Sequence, residues 1–298
     1  MNEPRLVAEG SDRLGEGPCW DARSRRLYWF DIKGRRLNWL GPGDRGSYDL
    51  PCRCSVATPL ASGGLLIVGE EGLFRFDPRS GAMSLIEDGL KLPKGFRTND
   101  GKIDVHGRLW WSVMDDDGGK RPGCVYRRSP GEPSVEVLSG VHIANTCCCS
   151  PDGRVFYLCD SGKQTIFAYD LDPFSGVLSG KRVFAHTKGE AGSPDGSAVD
   201  AEGYLWNAQW GAWRIVRYAP DGRIDRIVEV PVEQPSSCAF GGEGLATLFV
   251  TTARDGLSDE ALARQPLAGS LLAFEPGVAG LPLPMFDDRA EPLRALAG

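Results

Sequence analysis

One unit recurs six times along this chain, and that recurrence constrains the fold more than any other feature. Short apolar runs begin at Leu27, Leu65, Leu109, Phe156, Leu205 and Leu248. Their starts lie 38, 44, 47, 49 and 43 residues apart. Long amphipathic patterns are missing, so this period matches a four-stranded propeller blade, roughly 40–50 residues. Turn residues precede most runs, as in Asp21-Ala22-Arg23-Ser24, Ser62-Gly63-Gly64, Pro151-Asp152-Gly153 and Glu202-Gly203. Further strand patterns follow, such as Ile166–Asp170 and Ile215–Tyr218. The 39 glycines and 21 prolines supply the turns that so many short strands need. A ring of six blades also removes exposed sheet edges. A two-sheet sandwich, the other all-β arrangement, does not call for six similar units. The expected architecture is therefore all-β, a six-bladed β-propeller of four-stranded antiparallel blades forming one domain over 1–298. One stretch departs from the pattern. Ser258 is a candidate N-cap, acidic residues follow it and Arg264 comes last, which predicts a short helix inserted in the sixth blade before Pro266.

Composition narrows the function classes. With 41% hydrophobic and 25% charged residues, the chain can bury a large core. A net charge of −6 argues against a nucleic-acid partner, and the Arg23/Arg25/Arg26 and Arg35-Arg36 groups read as solvated strand edges. No apolar run approaches the roughly 18 residues of a membrane span. Met1–Arg5 lacks a basic region leading into an apolar one, so the expectation is a cytoplasmic protein without a membrane partner, monomeric by default. Nine cysteines is an odd number, three of them are adjacent at 147–149, and none forms a C-x-x-C pair. They read as reduced thiols packed as small hydrophobes.

Ten to twelve residues before each apolar run stand Glu16, Cys54 or Ser55, Asn99, Asn145, Asp195, and Ser236 or Ser237. In a propeller these positions start the innermost strands and ring one mouth of the central bore. All except Cys54 carry an oxygen. Two carboxylates converging there would repel each other, and a divalent cation resolves the conflict. Oxygen ligands suit Ca2+, Mg2+ or Mn2+, and an oxygen site is also compatible with Zn2+ or Fe2+. The three histidines, at 106, 142 and 186, miss this register, which argues against a His-rich zinc site. Asp152 and Asp221, in their own Pro-Asp-Gly runs, read only as turn formers.

At these residues the chain resembles the SMP-30/gluconolactonase (regucalcin-like) family. The resemblance rests on Leu14-Gly15-Glu16-Gly17-Pro18-x-Trp20, Arg97-Thr98-Asn99-Asp100-Gly101-Lys102, Asn145 with Ser150-Pro151-Asp152-Gly153, and Pro194-Asp195-Gly196-Ser197. Asp200-x-x-Gly203-x-Leu205-Trp206 and Thr251-Thr252-Ala253-Arg254 extend it along nearly the whole chain. The stretch from Gly256 to Gly269 looks most like bacterial aldonolactonases such as xylonolactonase. The resemblance implies a six-bladed propeller that hydrolyses a sugar lactone with one divalent metal cation. It implies Glu16, Asn145 and Asp195 as metal ligands, and Asn99 as a further ligand or a water and substrate contact. It implies Arg97 and Asp117 as substrate contacts. Two positions depart from the family pattern: Thr146 stands where glycine is usual, and Ser112-Val113 where Gly-Thr is common.

Lactone hydrolysis needs a polarised carbonyl, a nucleophilic water and a stabilised oxyanion, all within reach of one divalent ion. Asp195 is the candidate base, and Arg97 an orienting fork. Other chemistries find no support. The chain has no G-x-S-x-G elbow, and the Gly95–Lys102 run has the wrong spacing for a P-loop. Lys181 stands where an EF-hand beginning at Asp170 would need its bidentate glutamate. Two readings stay open beside the lactonase: a metal-dependent hydrolase of other esters or organophosphates, and a non-catalytic calcium-binding propeller.

Overall fold

The computed structural model describes residues 3–88 and 92–290. Among them, six four-stranded antiparallel sheets form the blades of a β-propeller. The inner strands are Gly15–Asp21, Cys54–Pro59, Phe96–Ile103, Ala144–Cys149, Ser193–Val199 and Pro235–Gly241, for blades 1 to 6 in turn. Each packs on the next, and the sixth packs on the first, which closes the ring. The apolar runs read from the sequence are the second strands, such as Leu109–Asp115 and Leu205–Trp210. They are sandwiched between neighbouring blades, so both faces are buried and the runs are continuous rather than alternating. Trp110, Trp111 and Trp206 are fully buried there. Each large apolar side chain so removed from water contributes about 1.5–3 kcal/mol.

The ring is latched by its first strand. Arg5–Ala8 pairs with Leu271–Phe274 and becomes the outermost strand of blade 6. The insert in that blade is helical over Asp259–Arg264, and the Ser258 side chain accepts a hydrogen bond from the Ala261 N–H. Motif residues around the bore divide into structural and site roles. Asp200 accepts from the Glu202 and Tyr204 N–H groups, from Trp206 Nε1 and from Arg217. Asp104 repeats this with His106, Arg108 and Trp110. The D-x-x-G-x-L-W pattern is thus the turn joining the first two strands of a blade. Asp152 and Asp221 also hold turns, accepting from the N–H groups of Arg154 and Arg223.

All nine cysteines are free thiols. Burial pushes the thiols of Cys19, Cys149 and Cys238 up to about 12, so they pack as apolar groups. Among the described residues no helix is long and apolar enough to cross a membrane.

Candidate active site

Every inner strand carries a break in register close to the same mouth of the bore. The breaks fall between Glu16 and Cys19, Cys54 and Val56, Thr98 and Gly101, Asn145 and Cys148, Pro194 and Ser197, and Pro235 and Ser237. A bulge bends its strand and re-aims the neighbouring side chains. At two of these bulges the backbone turns left-handed. Gly17 has φ +57°, and a Cβ there would lie 2.1 Å from the Ser55 carbonyl oxygen. In blade 4 the left-handed position is filled by Thr146 at φ +78°. A β-branched residue is strained in that region. Its hydroxyl donates to the Asp195 carbonyl at 2.8 Å, tying the blade 4 bulge to the blade 5 bulge.

Four of the six register positions meet. Glu16, Asn99, Asn145 and Asp195 line one cavity of about 390 Å3, together with Arg97. The short side chains at the other two positions serve the blade joints instead. Ser55 donates to Thr98 Oγ1 at 2.9 Å, and Ser236 donates to the Gly15 carbonyl. Asn99-Asp100-Gly101 and Pro194-Asp195-Gly196, which in isolation read as turns, lie inside strands.

A directed chain of hydrogen bonds sets the orientation of the amides. Arg97 Nη1 donates to Asn99 Oδ1 at 2.5 Å. Arginine can only donate, so Asn99 must offer it oxygen and turn its nitrogen to the next residue. Asn99 Nδ2 then donates to Asn145 Oδ1 at 2.7 Å and to the Ala144 carbonyl at 3.0 Å. Asn145 Nδ2 donates to Ser161 Oγ at 3.0 Å, and Ser161 donates to the Pro194 carbonyl at 2.6 Å. One lone pair of Asn145 Oδ1 remains for a ligand. Arg97 is itself anchored: its Nε donates to Asp116 Oδ1 at 2.7 Å, and Arg53 holds the other Asp116 oxygen at 2.6 Å. Burial works to raise the Asp116 pKa, but the two arginines outweigh it and hold the carboxyl below its ordinary value.

Asp117 is not brought into this cavity. It stands on the surface, paired with Lys120 at 2.8 Å. Asp115 pairs with Arg121, so of the three consecutive aspartates only Asp116 reaches Arg97. Residues that the inner-strand register does not reach complete the walls. Ser161 and Trp210 follow or end second strands, and Asp255 lies beyond blade 6's second strand, paired with Lys33 at 2.7 Å.

Asp255 is neutralised by Lys33, but the other two carboxylates of the cavity, Glu16 and Asp195, have no ion-pair partner among the described residues. Burial, then the charge of Asp100, raises Glu16 to about 8. Burial, then Glu16 and Asp100, raises Asp195 well above its ordinary value. Asp100 Oδ2 is itself buried without a hydrogen-bond partner. Excess negative charge in a buried oxygen-lined pocket fits a hard divalent cation. Two carboxylates and one amide oxygen are the donors, and no cluster of three or more His, Cys, Asp or Glu suited to a metal occurs among the described residues.

Fold and site together define a six-bladed propeller with a buried, oxygen-rich pocket at one mouth of its bore. A family model described as the SMP-30/Gluconolactonase/LRE-like region matches residues 14–254, and the chain belongs to that family. L-arabinolactonase of Azospirillum brasilense is 40% identical over 285 residues, covering 93% of each chain. The 6-deoxy-6-sulfogluconolactonase of Pseudomonas putida is 31% identical, with 96% of this chain and 99% of that one covered. Among solved structures, regucalcin from Agrobacterium tumefaciens, described as a calcium-binding protein, superposes with a TM-score of 0.88 at 31% identity. That superposition covers 94% of this chain and 97% of that one.

Proposed function

We propose that the protein hydrolyses a sugar lactone to the aldonic acid in the mouth cavity, using one divalent cation held by Glu16, Asn145 and Asp195. The observation that carries this reading is the convergence of Glu16, Asn145, Asp195 and Arg97 in one cavity, two of them carboxylates that burial and mutual repulsion keep hard to ionise. Relatives named for the hydrolysis of sugar lactones share most of the chain's length.

A cation bound there supplies Lewis acidity toward a carbonyl oxygen and lowers the pKa of water. The chain's own groups do the rest. Asp195 takes the proton of the attacking water as its oxygen bonds to the lactone carbon. Burial raises the basicity of Asp195, and a general base contributes about 10²–10⁴-fold. When the ring C–O bond breaks, the departing oxygen takes up the proton and becomes a hydroxyl. Arg97, with Nε on Asp116 and Nη1 on Thr98 and Asn99, offers Nη2 to a sugar hydroxyl or to the new carboxylate. Asn99, its oxygen engaged by Arg97, acts as the orienter of Asn145 and as a substrate contact. Trp210 offers an apolar wall to the C–H face of the sugar.

The test is a metal-stripped enzyme assayed on a panel of aldonolactones while Ca2+, Zn2+, Mn2+, Mg2+ and Fe2+ are restored singly. Recovery of lactone hydrolysis with one or more cations is expected. Recovery only on aryl esters or phosphotriesters would replace the substrate class. Cation binding without any turnover would support a calcium-binding propeller instead.

A further inference from the structure

Lys102 projects into the bore below the site, and the reaction just described does not use it. It follows Asn99 by three residues on the inner strand of blade 3 and points across the bore. Its ammonium donates to the Ser197 carbonyl of blade 5 at 2.5 Å and to the Cys238 carbonyl of blade 6 at 3.4 Å. Blades 3 and 6 face each other in a ring of six, so this side chain spans the full channel. It borders a second cavity of about 360 Å3 on the far side, walled mostly by apolar groups such as Pro18, Ile103, Val199 and Phe240. It does not line the mouth cavity. Lys102 therefore forms the floor between two compartments. Ser197 is two residues beyond Asp195, on the same bulged strand. Burial disfavours the ammonium, but the surrounding negative charge, that of Asp100 foremost, outweighs it and raises the Lys102 pKa above its ordinary value.

We propose that Lys102 is a positioning residue of the site: it bolts the Asp195 strand across the bore and supplies the counter-charge that stands in for the cation when none is bound. The idea rests on the metal site proposed above. Its consequence is linkage. Removing the ammonium leaves three carboxylates, Glu16, Asp100 and Asp195, with Arg97 as their remaining cation. The metal-free fold loses more than the loaded fold, and a divalent cation then binds tighter because one repelling charge has gone.

The experiment compares wild type, Lys102→Met and Lys102→Arg by calorimetric titration with Ca2+ and Mn2+, thermal unfolding in chelator and in saturating cation, and steady-state kinetics. In Lys102→Met we expect cation affinity to rise by at least about tenfold. Its melting temperature should fall in chelator and be largely restored by cation, and kcat should drop with KM little changed. Lys102→Arg should return affinity and chelator stability toward wild type. Should Lys102→Met fail to fold in chelator, refolding in saturating Ca2+ supports the proposal, and failure there too, with Lys102→Arg equally impaired, overturns it. Equal losses with and without cation, at unchanged affinity, reduce Lys102 to a strand tie and overturn it. If wild type hydrolyses no lactone yet the affinities shift as stated, the lactonase reading fails and this one stands.

Discussion

Replacing Asp195 by asparagine should move stability and activity in opposite directions. Glu16, in the same pocket, is pushed from 4.5 to about 8. At about 1.4 kcal/mol per unit, an ionised carboxylate in this pocket burdens the metal-free fold by up to about 5 kcal/mol. Arg97 and the Gly196 N–H offset part of the Asp195 burden, and water entry offsets more. A net gain of about 1–3 kcal/mol for Asp195→Asn is therefore expected at pH 8 in chelator. The isosteric amide keeps the backbone, and the Asp195 carbonyl keeps its donors Thr146 and Asn207. The gain should shrink as the pH falls, because the raised pKa of Asp195 lets its carboxyl take up a proton, and lose its charge, sooner than an ordinary aspartate. Lactone turnover should fall by at least about 10³-fold, since a base and a cation ligand go together. Urea denaturation followed by tryptophan fluorescence, with parallel lactone assays, reads both effects. An asparagine variant less stable than wild type in chelator at pH 8, or one that turns over normally, would refute the electrostatic reasoning.

Other expectations follow from the same geometry. Because Glu16 and Asp195 have raised pKa values, the folded metal-free protein holds more protons than the unfolded chain above pH 4.5. Its stability should then fall as pH rises from about 5 to 8, and saturating cation should flatten that slope. Cation binding at pH 7 should release at least about one proton, read by calorimetry in buffers of different ionisation enthalpy. Arg97→Lys keeps the charge but loses the fork that joins Asp116 to Asn99, so KM should rise about tenfold or more in steady-state assays. Thr146→Gly relieves the φ +78° strain but drops the bond to the Asp195 carbonyl. It should remain within about 1 kcal/mol of wild type in denaturation while kcat falls. Thr146→Val, which keeps the strain and loses the bond, should be destabilised by about 1–3 kcal/mol.

The repeat made the blades legible because each second strand is packed between two neighbours and must be apolar throughout. The inserted helix was legible from its cap at Ser258. The latch was not: Arg5–Ala8 is only four residues long, and its partner lies at the far end of the chain. The shared register located Glu16, Asn99, Asn145 and Asp195 because bulges recur at that depth in every blade. It overreached in blades 2 and 6, where none of Cys54, Ser55, Ser236 and Ser237 lines the cavity and Ser55 and Ser236 bond to adjacent strands instead. Asp115, Asp116 and Asp117 are chemically identical, so only the path of the chain as it leaves the strand decides which meets Arg97. Ser161, Trp210 and Asp255 come from second strands and their exits, outside any inner-strand pattern. The departure at Thr146 was visible as a letter, but its left-handed backbone and its bond to Asp195 required coordinates.

The most direct test is anomalous diffraction from crystals soaked in Mn2+. One strong peak should appear in the mouth cavity, with oxygens of Glu16, Asn145 and Asp195 at coordination distance, and it should vanish in Asp195→Asn. A peak elsewhere, or none at saturating Mn2+, would contradict a cation shared by those three residues.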